Sequence, residues 1–318
     1  MYAIISPFCK SFDDIWLTYT IPKFLLEKLN IWQIVEIPFN NKIEIWIVLN
    51  ISNNLNINFD SSKIKEIIKI KNETIFLKNY RVNLLKWIAT HYITAIHNSS
   101  NLFLPKNLKE KIIKDKLKLN EKNSFKYEFN YNIELSKKQI ISYNDIIKSK
   151  NNKVLLYWLT WSWKTEIYIN LIKYNLDINK QSLLLIPEII LTNQISDKIK
   201  KIFWKEVLII NSTITNANKT KYWQDINNNN AKIIIWTRSA IFYPYNNLWL
   251  IIIDEEHDNS YISDVSPRYN TIKIAEKITE INSNKLILWS WTPSINSMYK
   301  WVKKEYELIN LLEVFKKS

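Results

Sequence analysis

The sequence predicts an α/β fold, a parallel β-sheet with helices on both faces, preceded by a smaller β-rich unit. Three observations carry this expectation. From about residue 133 onward, apolar runs of strand length alternate with longer helical patterns, and fully apolar strands spaced by helices belong to parallel sheets covered on both sides. Residues 1 to about 60 instead hold short β-branched and aromatic stretches, the composition of strands. The apolar content of 47% is ample for a packed core, which argues against wholesale disorder.

In chain order, "WLTYTI" (16–21), "QIVEIPF" (33–39) and "KIEIWIVLNI" (42–51) are expected strands. Residues 61–72 and 79–98 are expected helices. In "VNLLKWIATHYITAI", Leu84, Leu85, Ile88, Tyr92 and Ala95 recur at three- and four-residue spacing, which marks one helix face. The lysine-rich "PKNLKEKIIKDKLKLNEKN" (105–123) suits a linker or an exposed helix, since like charges favour a solvated face. The strands of the larger unit are "KVLLY" (153–157), "SLLLIP" (182–187), "EVLII" (206–210), "KIIIW" (232–236), "LIIID" (250–254) and "KLILW" (285–289). The expected organisation is a domain over 1–104, a linker over 105–132 and a second domain over 133–318.

The 318 residues include no glycine and 14 Trp. Average usage of about 7% would give roughly 22 glycines, and turns and helix ends need the positive φ that glycine adopts freely. The joint pattern implies that a codon read here as Trp, UGA, encodes glycine in the source. Arginine occurs only at Arg81, Arg238 and Arg268, while Lys, Asn and Ile dominate, as AT-rich coding produces. A lone Cys9 argues against a disulfide framework and against a cysteine zinc site. No run of about 18 apolar residues suggests a membrane span. The N-terminus lacks the basic start of a signal peptide, so a cytoplasmic location is expected. The net charge of +14 fits a polyanionic partner, and lysine enrichment through AT-rich codons explains it equally well.

The chemistry begins at "LLYWLTWSWKTEIYINLI" (155–172). With glycine for tryptophan, the segment from Trp158 to Thr165 becomes G-L-T-G-S-G-K-T between a strand and a helix, a complete phosphate loop. Such a loop wraps phosphate in successive backbone N–H groups and a helix N-terminus. An indole at Trp158, Trp161 or Trp163 would fill the phosphate's volume. Thr160 and Ser162 complete the cradle, Lys164 would reach the β- and γ-phosphates of ATP, and the Thr165 hydroxyl would ligate Mg²⁺.

About ninety residues later, "LWLIIIDEEHDNSY" ends an apolar strand in Asp254 and Glu255. A carboxylate at a strand tip beside a phosphate loop suits Mg²⁺, which assigns Asp254 to the metal and Glu255 to the attacking water. His257 closes a D-E-x-H pattern and is expected to couple ATP to nucleic acid. In "LILWSWTPS" (286–294), Ser290 and Thr292 are hydroxyl donors expected to contact the carboxylates of the previous motif or a water between them.

In this order the motifs resemble superfamily 2 helicases, and among them the PriA-like family of primosomal replication-restart helicases. "LLLIPEIILTNQ" (183–194), "AKIIIWTRSAIFYPYNNLWLIIIDEEHDNSY" (231–261) and "LILWSWTPSINSMY" (286–299) are similar to that family, and the resemblance covers almost the whole chain. It implies a RecA-like first helicase lobe, behind an N-terminal DNA-binding domain similar to the family's through "LTYTIP" and "VEIPFN…EIWIVLNI". "SPRYN" (266–270) resembles the loop that couples single-stranded DNA to hydrolysis. The resemblance thereby implies that Arg268 and Tyr269, with Thr237 and Arg238, face DNA, and that Gln139 of "LSKKQ" recognises adenine. It further implies single-stranded and forked DNA, primosome components and single-strand-binding proteins as partners, with no membrane. Trp32, Trp46, Trp158, Trp161, Trp163, Trp236, Trp249 and Trp289 fall on the family's glycines, joined by Trp204 and Trp301. Trp291 falls on a small residue, and Trp87 and Trp223 fall on the family's own tryptophans.

The chain departs from the family at Leu17-Thr18-Tyr19, where the family's 3′-end pocket carries an acidic residue. The thirty or so residues after Pro105 are short for the family's winged helix. The second lobe and its zinc module are not in these 318 residues, which are expected to be a fragment, one half of a split gene or a reading frame cut short, so zinc is not expected here and the chain alone should unwind nothing. Two alternatives stand beside the helicase reading. One is a non-enzymatic DNA-binding or scaffold remnant, and the other is a different superfamily 2 translocase.

Overall fold

The computed structural model describes residues 1–7, 16–54, 64–72, 79–114, 116, 133–158, 164–187, 194–203, 207–209 and 214–311. The chain divides into two compact units, Met1–Leu119 and Asn120–Ser318.

The first unit is built on an antiparallel sheet of β1 (Tyr2–Pro7), β2 (Leu17–Thr20), β3 (Ile34–Phe39), β4 (Lys42–Ser52) and β5 (Lys69–Asn72), in the order β2-β1-β4-β3-β5. The tight β3–β4 hairpin turns on Asn40 and Asn41, both at positive φ (46° and 59°). A two-residue hairpin of the favoured twist needs that conformation, and Asn tolerates it best after glycine. Alternation along β3 and β4 places Val35, Ile37, Trp46 and Val48 in one core with Ala3, Ile5 and Tyr19. Helices α1 (Asn79–His91), α2 (Ile96–Phe103) and α3 (Lys106–Ile113) follow. Leu108 and Ile112 of α3 are buried, so this lysine-rich stretch carries an apolar face.

Two expectations need correction here. Within 61–72, the described residues are extended rather than helical: Glu66 makes an isolated bridge to Thr20, and β5 pairs with β3. Ile64, Ile67, Ile68 and Ile70 mimic helical spacing, but pairing with a sheet edge overrides local pattern. The helix expected over 79–98 breaks after His91 and resumes at Ile96.

Trp32, just before β3, has φ 73°. It is 1% exposed, packs edge-on against Phe103 with ring centroids 6.1 Å apart, and leaves its Nε1 buried without a hydrogen-bond partner among the described residues. The left-handed region is costly for a bulky residue, and an orphaned buried donor adds to that cost. A glycine would avoid both.

The second unit is a seven-stranded, wholly parallel sheet: β6 (Lys153–Trp158), β7 (Gln181–Leu185), β8 (Val207–Ile209), β9 (Ile233–Trp236), β10 (Leu248–Ile253), β11 (Lys285–Ser290) and β12 (Glu307–Leu311), ordered β12-β6-β11-β10-β7-β9-β8. All six strands expected from the apolar runs are present. The added edge strand β12 pairs with β6 in register Leu308↔Leu155. Helices α4 (Lys137–Lys148), α5 (Lys164–Asp177), α6 (Gln194–Phe203), α7 (Asn216–Asn227), α8 (Thr271–Asn282) and α9 (Ile295–Val302) intervene. The strands are apolar on both faces because helices cover both, and Leu156, Leu184, Ile235, Ile252 and Ile287 lie in one core. Among the described residues, no helix is long and apolar enough to cross a membrane.

Candidate nucleotide and DNA site

Three neighbouring strands bring the site together. In the order β6-β11-β10, the rows Leu155, Leu288 and Ile253 are in register. The residues after these rows therefore emerge side by side at the C-terminal edge of the sheet, where ligands of open parallel sheets bind. Lys164 opens α5 beyond β6, Asp254 and Glu255 follow β10, and Ser290 ends β11 between them.

Lys164 donates to Asp254 Oδ1 at 2.8 Å and Oδ2 at 3.0 Å, and to Glu255 Oε1 at 2.9 Å. Asp254 is fully buried. Tyr168, one turn along α5, donates its hydroxyl to Asp254 Oδ1 at 3.0 Å, because residues four apart share a helix face. Burial pushes the Asp254 carboxyl above its ordinary range, against the pull of Lys164. Burial alone would lower the Lys164 ammonium, yet Asp254 and then Glu255 outweigh it and hold it above its ordinary value. Glu255 sits at φ 48°, a turn that brings its Oε1 back onto Lys164, while its buried Oε2 lies 3.8 Å from His257 Nδ1 and has no hydrogen-bond partner among the described residues.

The third strand end reaches the D-E-E-H segment through other atoms than expected. Ser290 Oγ lies 2.7 Å from His257 Nδ1 and accepts from Thr292 N at 3.1 Å. Ser290 therefore meets the histidine, and Thr292 reaches Ser290 through its backbone N–H. The carboxylate contact is made further on: Glu256 accepts from Ser294 N at 2.6 Å, from Ser294 Oγ at 3.0 Å and from Ser297 Oγ at 3.0 Å, all at the start of α9.

The residues expected at DNA gather around the loop 260–270, where Ile262 bridges Asn270 and Ser263 N donates to the Tyr269 carbonyl. Thr237 is 9% exposed after β9. Arg238 donates through Nη1 to the carbonyls of Ser260 (2.8 Å) and Ile262 (2.6 Å), so its guanidinium holds the loop after the D-E-E-H segment. Arg268 is exposed. Tyr269 is 4% exposed and edge-on against Phe242, centroids 4.8 Å apart, so its ring faces protein in this conformation. Gln139 is 2% exposed; its side chain accepts from Ser136 N at 2.7 Å in a capping box that starts α4. Thr165 is half-buried on the first turn of α5. Thr160, Trp161, Ser162 and Trp163 lie outside the described residues, as does the side chain of Trp158.

The donor set fits a phosphate-bound cation in part. Two carboxylates converge beside a helix N-terminus, one of their oxygens has no hydrogen-bond partner among the described residues, and a lysine ammonium bridges them. That ammonium supplies the positive charge the acids require. Among the described residues, no group of three or more His, Cys, Asp or Glu is arranged to hold a metal alone, so a cation here would need phosphate or water oxygens as well.

Sequence reasoning missed Tyr168, Glu256, Ser294, Ser297 and Tyr261. The Tyr261 hydroxyl bonds the backbone carbonyls of Asp254 (2.6 Å) and Leu185 (3.1 Å). Tyr168 occupies an apolar position of α5, where nothing distinguishes it from a core residue. The serines had a signal, since Ser294 three residues ahead of Ser297 is an N-cap pattern.

A family model described as DEAD/DEAH box helicase matches residues 136–300, and one described as 3′DNA-binding domain (3′BD) matches residues 13–105. Replication restart protein PriA of Rickettsia prowazekii is 34% identical over 313 residues, 98% of this chain and 46% of that protein. Its counterpart in Bacillus subtilis is 38% identical over 168 residues, 52% of this chain and 21% of that protein. The helicase domain of Pyrococcus furiosus Hef covers 55% of this chain and is covered over 38% of its own length, at 18% identity and a TM-score of 0.42. The chain thus spans under half the length of these curated relatives.

Proposed function

The chain belongs to the DEAD/DEAH box helicase family, and from that premise we propose that it is the N-terminal half of an ATP- and Mg²⁺-dependent DNA helicase of replication restart. The observation that carries this reading is the buried contact of Lys164 with Asp254, which joins the segment after β6 to the segment after β10. In phosphate-loop ATPases a lysine serves phosphate and a strand-end Asp serves Mg²⁺, and the contact supports reading Lys164 and Asp254 as that pair at rest. When bound, Mg-ATP supplies the phosphoanhydride to be cleaved and the charge that Lys164 and Asp254 would then share with it. Lys164 would leave the carboxylates for phosphate oxygens, Thr165 and Asp254 would hold the cation, and Glu255 would orient water. His257 and Ser290, already in contact, would report the state of the site to the rest of the lobe. Gln139 would meet adenine only by giving up its bond to Ser136.

We further propose that Trp158, Trp161 and Trp163 are glycine in the native protein. The steric demand of a phosphate cradle supports this, and so does Trp32, whose left-handed backbone suits glycine. DNA is the proposed polymer. The N-terminal unit matches a 3′DNA-binding model, the net charge is +14, and Arg268 is exposed. Arg238 would act on DNA through the loop it holds, and Tyr269 would reach a base only after rotating off Phe242. Single-strand-binding and primosome proteins, a separate chain carrying a second lobe, and a cytoplasmic location complete the proposal, supported by the replication-restart relatives. The test is ATP hydrolysis by the glycine form joined to a second lobe, with and without forked DNA. Stimulation by forked DNA supports the helicase. DNA binding without hydrolysis favours the scaffold reading.

A further inference from the structure

We infer that Tyr168 is a positioning residue for Asp254: its hydroxyl fixes the carboxylate so that the second oxygen stays aimed at the cation when Lys164 moves to phosphate. The inference rests on the nucleotide reading given above.

Among the described residues, Asp254 has three hydrogen bonds from side chains, and two of them come from Lys164. A lysine that serves phosphate cannot also serve both carboxylate oxygens, since its ammonium has three protons and one position. Once Lys164 turns to phosphate, the Tyr168 bond to Oδ1 is the side-chain bond that persists. Oδ2 is then released, while Oδ1 stays anchored. The anchor is rigid for two reasons. Tyr168 is fully buried in the core of the second unit, and its position on α5 is set by the same turn that sets Lys164. A neutral donor suits this task better than a second cation, because it holds the carboxylate's direction without competing for its charge. A tyrosine that merely needed a partner for its own hydroxyl would be equally satisfied by a backbone carbonyl, as Tyr261 is. Tyr168 instead spends its hydroxyl on the one side chain expected to meet the metal.

The test uses the full chain carrying glycine at positions 158, 161 and 163, and compares Tyr with Tyr168→Phe by calorimetry. ADP is titrated first without Mg²⁺ and then across a Mg²⁺ series. Removing one hydrogen bond to a charged group is expected to weaken the Mg²⁺-dependent tightening about tenfold, with ADP affinity in the absence of Mg²⁺ changed by less than about twofold. In an Asp254→Asn background, Tyr168→Phe should add nothing. Superimposable Mg²⁺ series for Tyr and Phe overturn the inference while leaving the nucleotide site standing. If the tyrosine form itself binds no ADP, the nucleotide reading falls and this inference falls with it. Should Tyr168→Phe fail to fold, 3-fluorotyrosine at position 168 alone keeps the ring and strengthens the donor. Mg²⁺ tightening must then change, and an unchanged series overturns the inference.

Discussion

Lys164 Nζ lies within 3.0 Å of both carboxylate oxygens of Asp254, although 90 positions separate the two residues. The parallel sheet makes this contact possible, because β6 and β10 end on the same edge with only β11 between them. The pair is buried, so each charge depends on the other.

Removing one partner should therefore cost more than removing both. Lys164→Met leaves an uncompensated buried carboxylate, expected to cost about 3–5 kcal/mol. Adding Asp254→Asn to it should recover most of that loss. Thermal or urea unfolding of the single and double variants checks the prediction, and additive losses would contradict it.

Glu256 ties the D-E-E-H segment to the first turn of α9 through three hydrogen bonds. Hydrogen bonds to a charged group contribute about 1.5–3 kcal/mol, so Glu256→Ala should fray this turn. Amide exchange over residues 294–298 is expected to accelerate at least tenfold, while exchange in the core of α5 stays unchanged. Glu256→Gln should fall between the two.

Arg238 bridges the carbonyls of Ser260 and Ile262 with one guanidinium nitrogen. Lysine's ammonium, on a flexible stem, does not fix a donor in the plane where the guanidinium holds this nitrogen. In the glycine form joined to a second lobe, Arg238→Lys and Arg238→Ala should therefore both reduce any stimulation of ATP hydrolysis by DNA, with nucleotide affinity within about twofold of the parent by calorimetry. A variant that loses nucleotide affinity in the same proportion would place Arg238 at the nucleotide instead.

Lys232 is 2% exposed, and its Nζ has no hydrogen-bond partner among the described residues. Burial lowers its pKa to about 8, whereas an unfolded lysine keeps its proton to about pH 10.4. Between these values the unfolded chain binds more protons, so stability should rise with pH across this window and lie flat below it with respect to this group. Lys232→Met should remove that rise and stabilise the chain below pH 8 by on the order of 3 kcal/mol. Urea unfolding at pH 7, 8, 9 and 10 measures both effects.

Much of this architecture was legible before any coordinates. Six apolar runs became six strands because a strand covered on both faces has no polar positions to disguise it. Lys164 and Asp254 were legible because each follows such a strand. The helix expected over 61–72 failed where Ile67 and its neighbours satisfied a helical spacing that pairing at Thr20 and with β3 overrode. Strand β1, which lies between β2 and β4, and the edge strand β12 were not singled out, since "YAIISP" and "ELINL" are short. Tyr168 and Glu256 were hidden for a different reason. Their partners lie 86 and 38 residues away, and no local pattern announces a tertiary hydrogen bond. Tyr269 was read from its surroundings in the sequence, and its ring lies against Phe242.

The central claim is that bare backbone, and no indole, precedes Lys164. Mass spectrometry of the native protein, on the proteolytic peptide spanning residues 154–164, tests it most directly. The account predicts glycine masses at positions 158, 161 and 163. Tryptophan masses there would contradict it and remove the phosphate cradle on which the proposed motor depends.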